Sequence, residues 1–143
     1  MMTQDIEYAI VCIDDEPIIL QMLGFQLEKL IGKECIAMEF FSSPTEAIEG
    51  INILSEDNVQ IIFVLVDYQM PGLTGAELIR KVKSVNPDIN FIMLSGQANS
   101  RQVDELLDEK MLSSFIPKPW SEDDLKRVIY DLVDNSLINK KPS

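Results

Sequence analysis

The chain is 143 residues long, 46% apolar and 25% charged, and carries 24 acidic against 12 basic side chains for a formal net charge of −12. That length suffices for one domain with its own core, needing neither disulfides nor a structural metal, and the composition excludes a disordered, collagenous or membrane-embedded chain. The acidity opposes nonspecific binding to nucleic acid or anionic lipid, and the absence of histidine removes His-based metal sites and Ser/His/Asp triads, leaving carboxylates, hydroxyls, lysines or a bound ion for any chemistry.

In chain order, the opening residues show no basic stretch followed by an apolar run of secretory type. No apolar run anywhere reaches the roughly 18 residues of a membrane helix, so a cytoplasmic location is expected, with no membrane partner. A first strand is predicted over 8–13, closed by Asp14-Asp15-Glu16. A helix striped by Leu20, Leu23, Leu27 and Leu30 follows. A second strand is predicted over 35–41. Cys12 and Cys35 each sit in a strand-like run without CxxC spacing; buried reduced thiols are the expected reading, with redox or metal chemistry the minor alternative.

Ser43-Pro44-Thr45-Glu46 reads as a capping box with proline at the first helical position. The third strand, over 60–66, is continuously apolar from Ile61 to Val66, as a central strand buried on both sides should be, and it ends in Asp67. Thr74-Gly75-Ala76-Glu77 starts a third helix. A fourth strand over 90–94 ends in Ser95, and Val103, Leu106, Leu107 and Met111 stripe a fourth helix. The fifth strand, over 113–117, ends in Lys118-Pro119. Ser121-Glu122-Asp123-Asp124 then caps a fifth helix striped by Leu125, Val128, Ile129, Leu132 and Val133. Residues 1–134 are expected to be the domain, and 135–143 a tail or the start of a linker.

Five short apolar runs alternating with five helical segments predict an α/β fold, a doubly wound parallel sheet with helices on both faces. In such sheets the ligand site lies beyond the carboxyl ends of the strands. Those ends carry Asp14, Asp15 and Glu16, then Asp67, Ser95 and Lys118. Two carboxylates about 4 Å apart repel by roughly 4 kcal/mol at an effective dielectric of about 20, so cations must offset the cluster. Lys118 supplies one charge, and Mg²⁺, which binds a few carboxylates while keeping several waters, fits the remainder. For Asp14 and Asp15 alone, acids favoured by a helix dipole would be an equal explanation; it does not explain an acid and a lysine ending two other strands.

The runs Ile10-Val11-Cys12-Ile13-Asp14-Asp15-Glu16-Pro17, Val66-Asp67-Tyr68-Gln69-Met70-Pro71-Gly72, Leu94-Ser95-Gly96 and Phe115-Ile116-Pro117-Lys118-Pro119 resemble the receiver domain of response regulators in two-component signalling, and the resemblance extends over about 7–133. The resemblance implies a flavodoxin-like (βα)5 sandwich with strand order 2-1-3-4-5. It further implies a phosphoacceptor role for Asp67, and Mg²⁺ (or Mn²⁺ in its place) held by Asp14, Asp15, Asp67 and the backbone carbonyl of Gln69. Lys118 and Ser95 would contact the phosphoryl group, Ser95 and Phe115 would form a switch pair, and a cis peptide is expected before Pro119. Phe115 could equally be ordinary core.

Gln69 and Gln97 are read as tuning phosphoryl lifetime or as neutral loop polars, and Trp120 as packing or as docking surface. Implied partners are a sensor histidine kinase or phosphotransfer protein, and an output domain or protein on the face of the fourth helix, fifth strand and fifth helix. A phosphorylation-dependent dimer is compatible with this, direct nucleic-acid contact is not expected, and the role is signalling rather than enzymatic turnover. The segment 31–66 is longer than in typical members, which bears on the bounds of the second strand and helix. Two alternatives remain: a haloacid-dehalogenase-type phosphatase, which needs a second Asp where Gln69 stands, and a docking module of the same fold that takes no phosphate.

Overall fold

Strands and helices alternate without exception in the computed structural model, which describes residues 6–32, 34–96 and 101–133. In order they are β1 (Tyr8–Ile13), α1 (Pro17–Ile31), β2 (Ile36–Phe41), α2 (Pro44–Glu56), β3 (Gln60–Asp67), α3 (Gly75–Val85), β4 (Phe91–Ser95), α4 (Arg101–Asp108), β5 (Ser114–Pro117) and α5 (Glu122–Leu132). The five strands form one sheet in the order β2-β1-β3-β4-β5, every neighbouring pair parallel. The chain therefore has the flavodoxin-like fold expected of it. The strands fall within a residue or so of the predicted spans, and the long segment after α1 is taken up by β2 and a 13-residue α2.

β1 and β3 lie in the middle of the sheet, which explains their unbroken apolar runs: Ala9 through Ile13 and Phe63 through Val66 are all 0% exposed. Side chains alternate between two cores. One gathers Val11, Ile13, Val64, Val66, Phe91 and Met93 beneath α2, α3 and α4. The other gathers Ile10, Cys12, Phe63, Leu65, Ile92 and Leu94 beneath α1 and α5.

Helix starts follow their capping chemistry. Thr74 and Ser121 each make both bonds of a capping box, with Glu77 and Asp124. The box predicted at Ser43 is half made: its hydroxyl accepts from the Glu46 N–H at 3.5 Å, without a return bond. Proline at the first position of α2 fixes the backbone there without the second bond. The predicted α4 stripe also needs correction. Val103 and Leu106 are buried, but Leu107 is 40% exposed and Met111 lies beyond the helix, past a left-handed Lys110 (φ 60°). With α4 only eight residues long, its buried face is narrower than the spacing suggested. The proposed tail 135–143 lies outside the described residues.

Cys12 is fully buried and burial pushes its thiol well above the usual range, whereas Cys35 is half-buried. A thiol reagent applied to native protein is therefore expected to modify Cys35 alone, with Cys12 reacting only after unfolding. Two modified thiols per folded chain would contradict this. Among the described residues no helix is long and apolar enough to cross a membrane.

Candidate functional site at the carboxyl rim of the sheet

Parallel pairing brings the ends of β1, β3, β4 and β5 to the same rim. Asp67 closes β3 opposite Leu94, Ser95 closes β4 opposite Pro117, and the Lys118 N–H donates to the Ser95 carbonyl at 2.8 Å. On the other side the Asp14 N–H donates to the Phe41 carbonyl at 3.1 Å, continuing the β1–β2 ladder by one step. These backbone bonds collect, at one edge, residues up to 104 positions apart in sequence.

The loop after Asp67 is shaped to leave that edge open. Gly72 takes a left-handed φ of 87°, which glycine adopts without strain, and α3 then begins directly against the strand end. The Gly75 N–H donates to the Tyr68 carbonyl at 2.7 Å. A Cβ on Gly75 would stand 2.5 Å from the Asp67 carbonyl oxygen, so only glycine permits this approach.

Lys118 is the hub of the charged groups. Its ammonium donates to Asp14 Oδ2 at 2.8 Å and lies 3.2 Å from Asp67 Oδ1. The other oxygen of Asp14 accepts from the Glu16 N–H at 2.9 Å. Asp14 is 0% exposed, Asp67 6% and Ser95 2%, while Asp15 and Glu16 face solvent. Carboxylate oxygens of Asp14, Asp15 and Glu16 lie within 4.8 Å of one another. Asp15 also lines an open cleft with Tyr68, Gln69, Met70, Pro71 and Thr74. The Lys118–Pro119 peptide bond is cis. Phe115 is half-buried against the core beneath α2, α3 and α4. Trp120 packs on the opposite core, and its indole N–H donates to Gln26 Oε1 at 2.8 Å. Gln97 lies outside the described residues.

The charge balance is visible in the titration of these groups. Burial, followed by the charge of Asp14, pushes the Asp67 carboxyl from 3.8 up to about 6, against the lowering influence of Lys118. For Lys118, burial works downward, but the hydrogen bond to Asp14 and the charges of Asp67 and Asp14 outweigh it and raise the ammonium above its ordinary value. One ammonium thus does not neutralise the acids around it, and this set of hard oxygen donors fits a divalent cation such as Mg²⁺. Among the described residues, Asp14, Asp15 and Glu16 are the side chains whose carboxylate oxygens lie close enough together to hold it. The sequence reading included Glu16 in the run at the end of β1 but gave it no role; its place in the triplet was the available signal.

Because the folded carboxyl of Asp67 titrates above the unfolded one, its contribution to stability is fully present below about pH 4 and is lost as pH rises through about 6. Asp67→Asn is accordingly expected to stabilise the metal-free fold at pH 7 by about 1–3 kcal/mol after allowance for solvent screening. The advantage should shrink toward zero near pH 4. Urea unfolding of both proteins in chelator across that range measures it, and a difference independent of pH would rule this account out.

The family model of the response regulator receiver domain matches residues 10–130. The uncharacterized transcriptional regulatory protein YesN of Bacillus subtilis (strain 168) is 32% identical over 139 residues, covering 94% of this chain and 36% of YesN. The two-component response regulator ARR5 of Arabidopsis thaliana is 28% identical over 111 residues, covering 71% of this chain and 60% of ARR5. The chain thus spans about a third of the first relative's length and three fifths of the second's.

Among solved structures, a response regulator receiver domain protein from Clostridium thermocellum superposes with a TM-score of 0.71 at 29% identity, covering 90% of this chain and 96% of that one. The CheX-CheY-BeF3-Mg²⁺ complex from Borrelia burgdorferi, at 20% identity and a TM-score of 0.74 over 90% of this chain and 92% of that one, shows the shared fold alone. With the sheet order, the acid-and-lysine rim and a match from residue 10 to residue 130 in agreement, this chain belongs to the response regulator receiver domain family of two-component systems.

Proposed function

We propose that the chain is a phosphorylation switch that accepts a phosphoryl group on Asp67 in a Mg²⁺-dependent reaction. The observation that carries the reading is the Lys118 ammonium in contact with both Asp14 and Asp67, beside the oxygen cluster of Asp14, Asp15 and Glu16. An Asp67 carboxylate oxygen attacks the phosphorus of a phosphohistidine or acyl phosphate. The bond from phosphorus to the donor breaks, and its electron pair leaves with the donor. A cation held by Asp14, Asp15, Asp67 and the Gln69 carbonyl would supply charge neutralisation on the phosphoryl oxygens. Lys118 is placed to exchange its contact with Asp67 for one with a phosphoryl oxygen, and the Ser95 hydroxyl, ending the adjacent strand, to donate to another.

Output then depends on a second arrangement of the fold. Ser95 and Phe115 are the proposed switch pair: Phe115, half-buried in β5, would turn further inward once the Ser95 side chain moves toward the phosphoryl group. The surface that changes is α4, β5 and α5, and its occupant is an output domain, a partner protein or a second phosphorylated copy. Moving such an equilibrium from 1:99 to 99:1 takes roughly 5.5 kcal/mol of differential interaction. The donor is a sensor histidine kinase or phosphotransfer protein acting in the cytoplasm, and Gln69 and Gln97 are the positions proposed to tune adduct lifetime.

Incubation with acetyl phosphate and Mg²⁺, read by intact-protein mass, tests the reading: a labile adduct of one phosphoryl group, absent in chelator, is expected. Steady turnover of a broad phosphomonoester would favour a phosphatase, and no adduct under either a small-molecule or a protein donor would favour a docking module.

A further inference from the structure

Tyr68, the residue after the proposed acceptor, is fixed at three points. Its N–H donates to the Leu94 carbonyl at the end of β4 at 3.0 Å, and its carbonyl accepts from Gly75 at the start of α3 at 2.7 Å. Its hydroxyl donates to the side-chain carbonyl of Gln102 in the first turn of α4. The ring between these points is half-buried against the core beneath α2, α3 and α4.

The helix at the far end of this strut is lightly held. α4 has eight residues, of which Val103 and Leu106 are buried, and beyond its end Glu109 pairs with Arg80 of α3 at 2.8 Å. An element with so few buried side chains sits at the low end of local stability, so one side-chain hydrogen bond is a sizeable part of what fixes its position.

We infer that Tyr68 is a positioning residue whose bond to Gln102 holds α4 in its present arrangement and thereby restrains phosphoryl acceptance at the neighbouring Asp67. The inference rests on the reading of Asp67 as acceptor. In the arrangement described, the Lys118 ammonium pairs with Asp14 and Asp67, a contact that acceptance at Asp67 would replace, so the strut belongs to the resting side of the switch. A contact present on one side only biases the equilibrium toward that side. For a single side-chain hydrogen bond the bias is roughly 2- to 10-fold.

The test uses Tyr68→Phe, Gln102→Leu and the double variant of the full chain. Beryllium trifluoride with Mg²⁺ serves as the phosphoryl mimic, titrated by the fluorescence of Trp120, the chain's one tryptophan, two residues after Lys118. Each single variant is expected to reach half-saturation at a roughly 2- to 10-fold lower mimic concentration, with the double no further shifted than either single. In mimic-free protein, amide exchange at Glu105 and Leu106 should quicken by a similar factor.

Half-saturation unchanged or raised in the single variants, or two shifts that multiply in the double, overturns the inference. Faster exchange without a change in mimic affinity does so as well, because the bond would then be structural only. If wild-type protein fails to take the mimic, the acceptor reading of Asp67 falls by itself, and unchanged exchange at Glu105 and Leu106 would independently dispose of the strut.

Discussion

Asp67→Ala is expected to lose the acetyl phosphate adduct completely, to the level of wild-type protein in chelator. The expectation follows from how the other acids are engaged. Asp14 is 0% exposed, with one oxygen accepting from the Lys118 ammonium and the other from the Glu16 N–H, so it is closed to a donor approaching from solvent. Asp15 and Glu16 are solvent-facing, and among the described contacts no ammonium reaches either of them.

Asp67 closes β3 with an ammonium 3.2 Å away, and the residue that follows it, Tyr68, lines an open cleft. Phosphoryl transfer depends on such positioning and charge neutralisation more than on intrinsic nucleophilicity, so a neighbouring carboxylate should not take over. Intact-protein mass after a fixed incubation decides the matter. A full adduct on Asp67→Ala would move the acceptor to another residue and end the proposal. The variant should remain folded, since removing this carboxylate relieves a burial that already pushes its pKa up to about 6.

The fold was legible because burial on both faces leaves a plain mark: a central parallel strand such as Ile61–Val66 can be apolar without interruption, and few other structures demand that. Helix starts were legible for an equally local reason, since a capping hydroxyl and its acid lie three residues apart at Thr74–Glu77 and Ser121–Asp124. The errors fell where local pattern gives way to tertiary context. Leu107 matched the α4 stripe and is exposed, because a short helix buries only the residues that meet the sheet, here Val103 and Leu106.

The rim residues could be named from strand ends, because parallel topology alone collects them there. Their pairings could not. Nothing in the spacing of Asp14, Asp67 and Lys118 says that one ammonium touches both acids, that Glu16 joins the oxygen cluster, or that Tyr68 reaches Gln102. Those facts depend on rotamers and loop paths that the whole fold decides.

Lys118→Met should be the most destabilising single change at the rim. Among the described contacts it leaves the fully buried Asp14 with the Glu16 N–H as its one donor, next to an Asp67 that has lost its only described cation. Removing one partner of a buried ion pair costs about 3 kcal/mol, and the methionine roughly keeps the volume, so the loss reports charge rather than a cavity. With the ammonium gone, the influence that lowers the Asp67 pKa is gone too, and its carboxyl should titrate higher still. The part of the deficit that comes from Asp67 should therefore be largest at neutral pH and shrink as pH falls below about 6, where that carboxyl is protonated in both proteins. Millimolar Mg²⁺ should recover part of the deficit at pH 7 by replacing the missing charge. The variant should still accept phosphate from acetyl phosphate, since Asp67 and the other acids remain. Phosphorylation should then no longer alter amide exchange across α4, β5 and α5, because the group that would carry the new charge toward β5 is missing. A variant as stable as wild type at pH 7 in chelator would show that Asp14 and Asp67 do not depend on this ammonium, and an unchanged exchange response would remove Lys118 from the path between acceptor and output face.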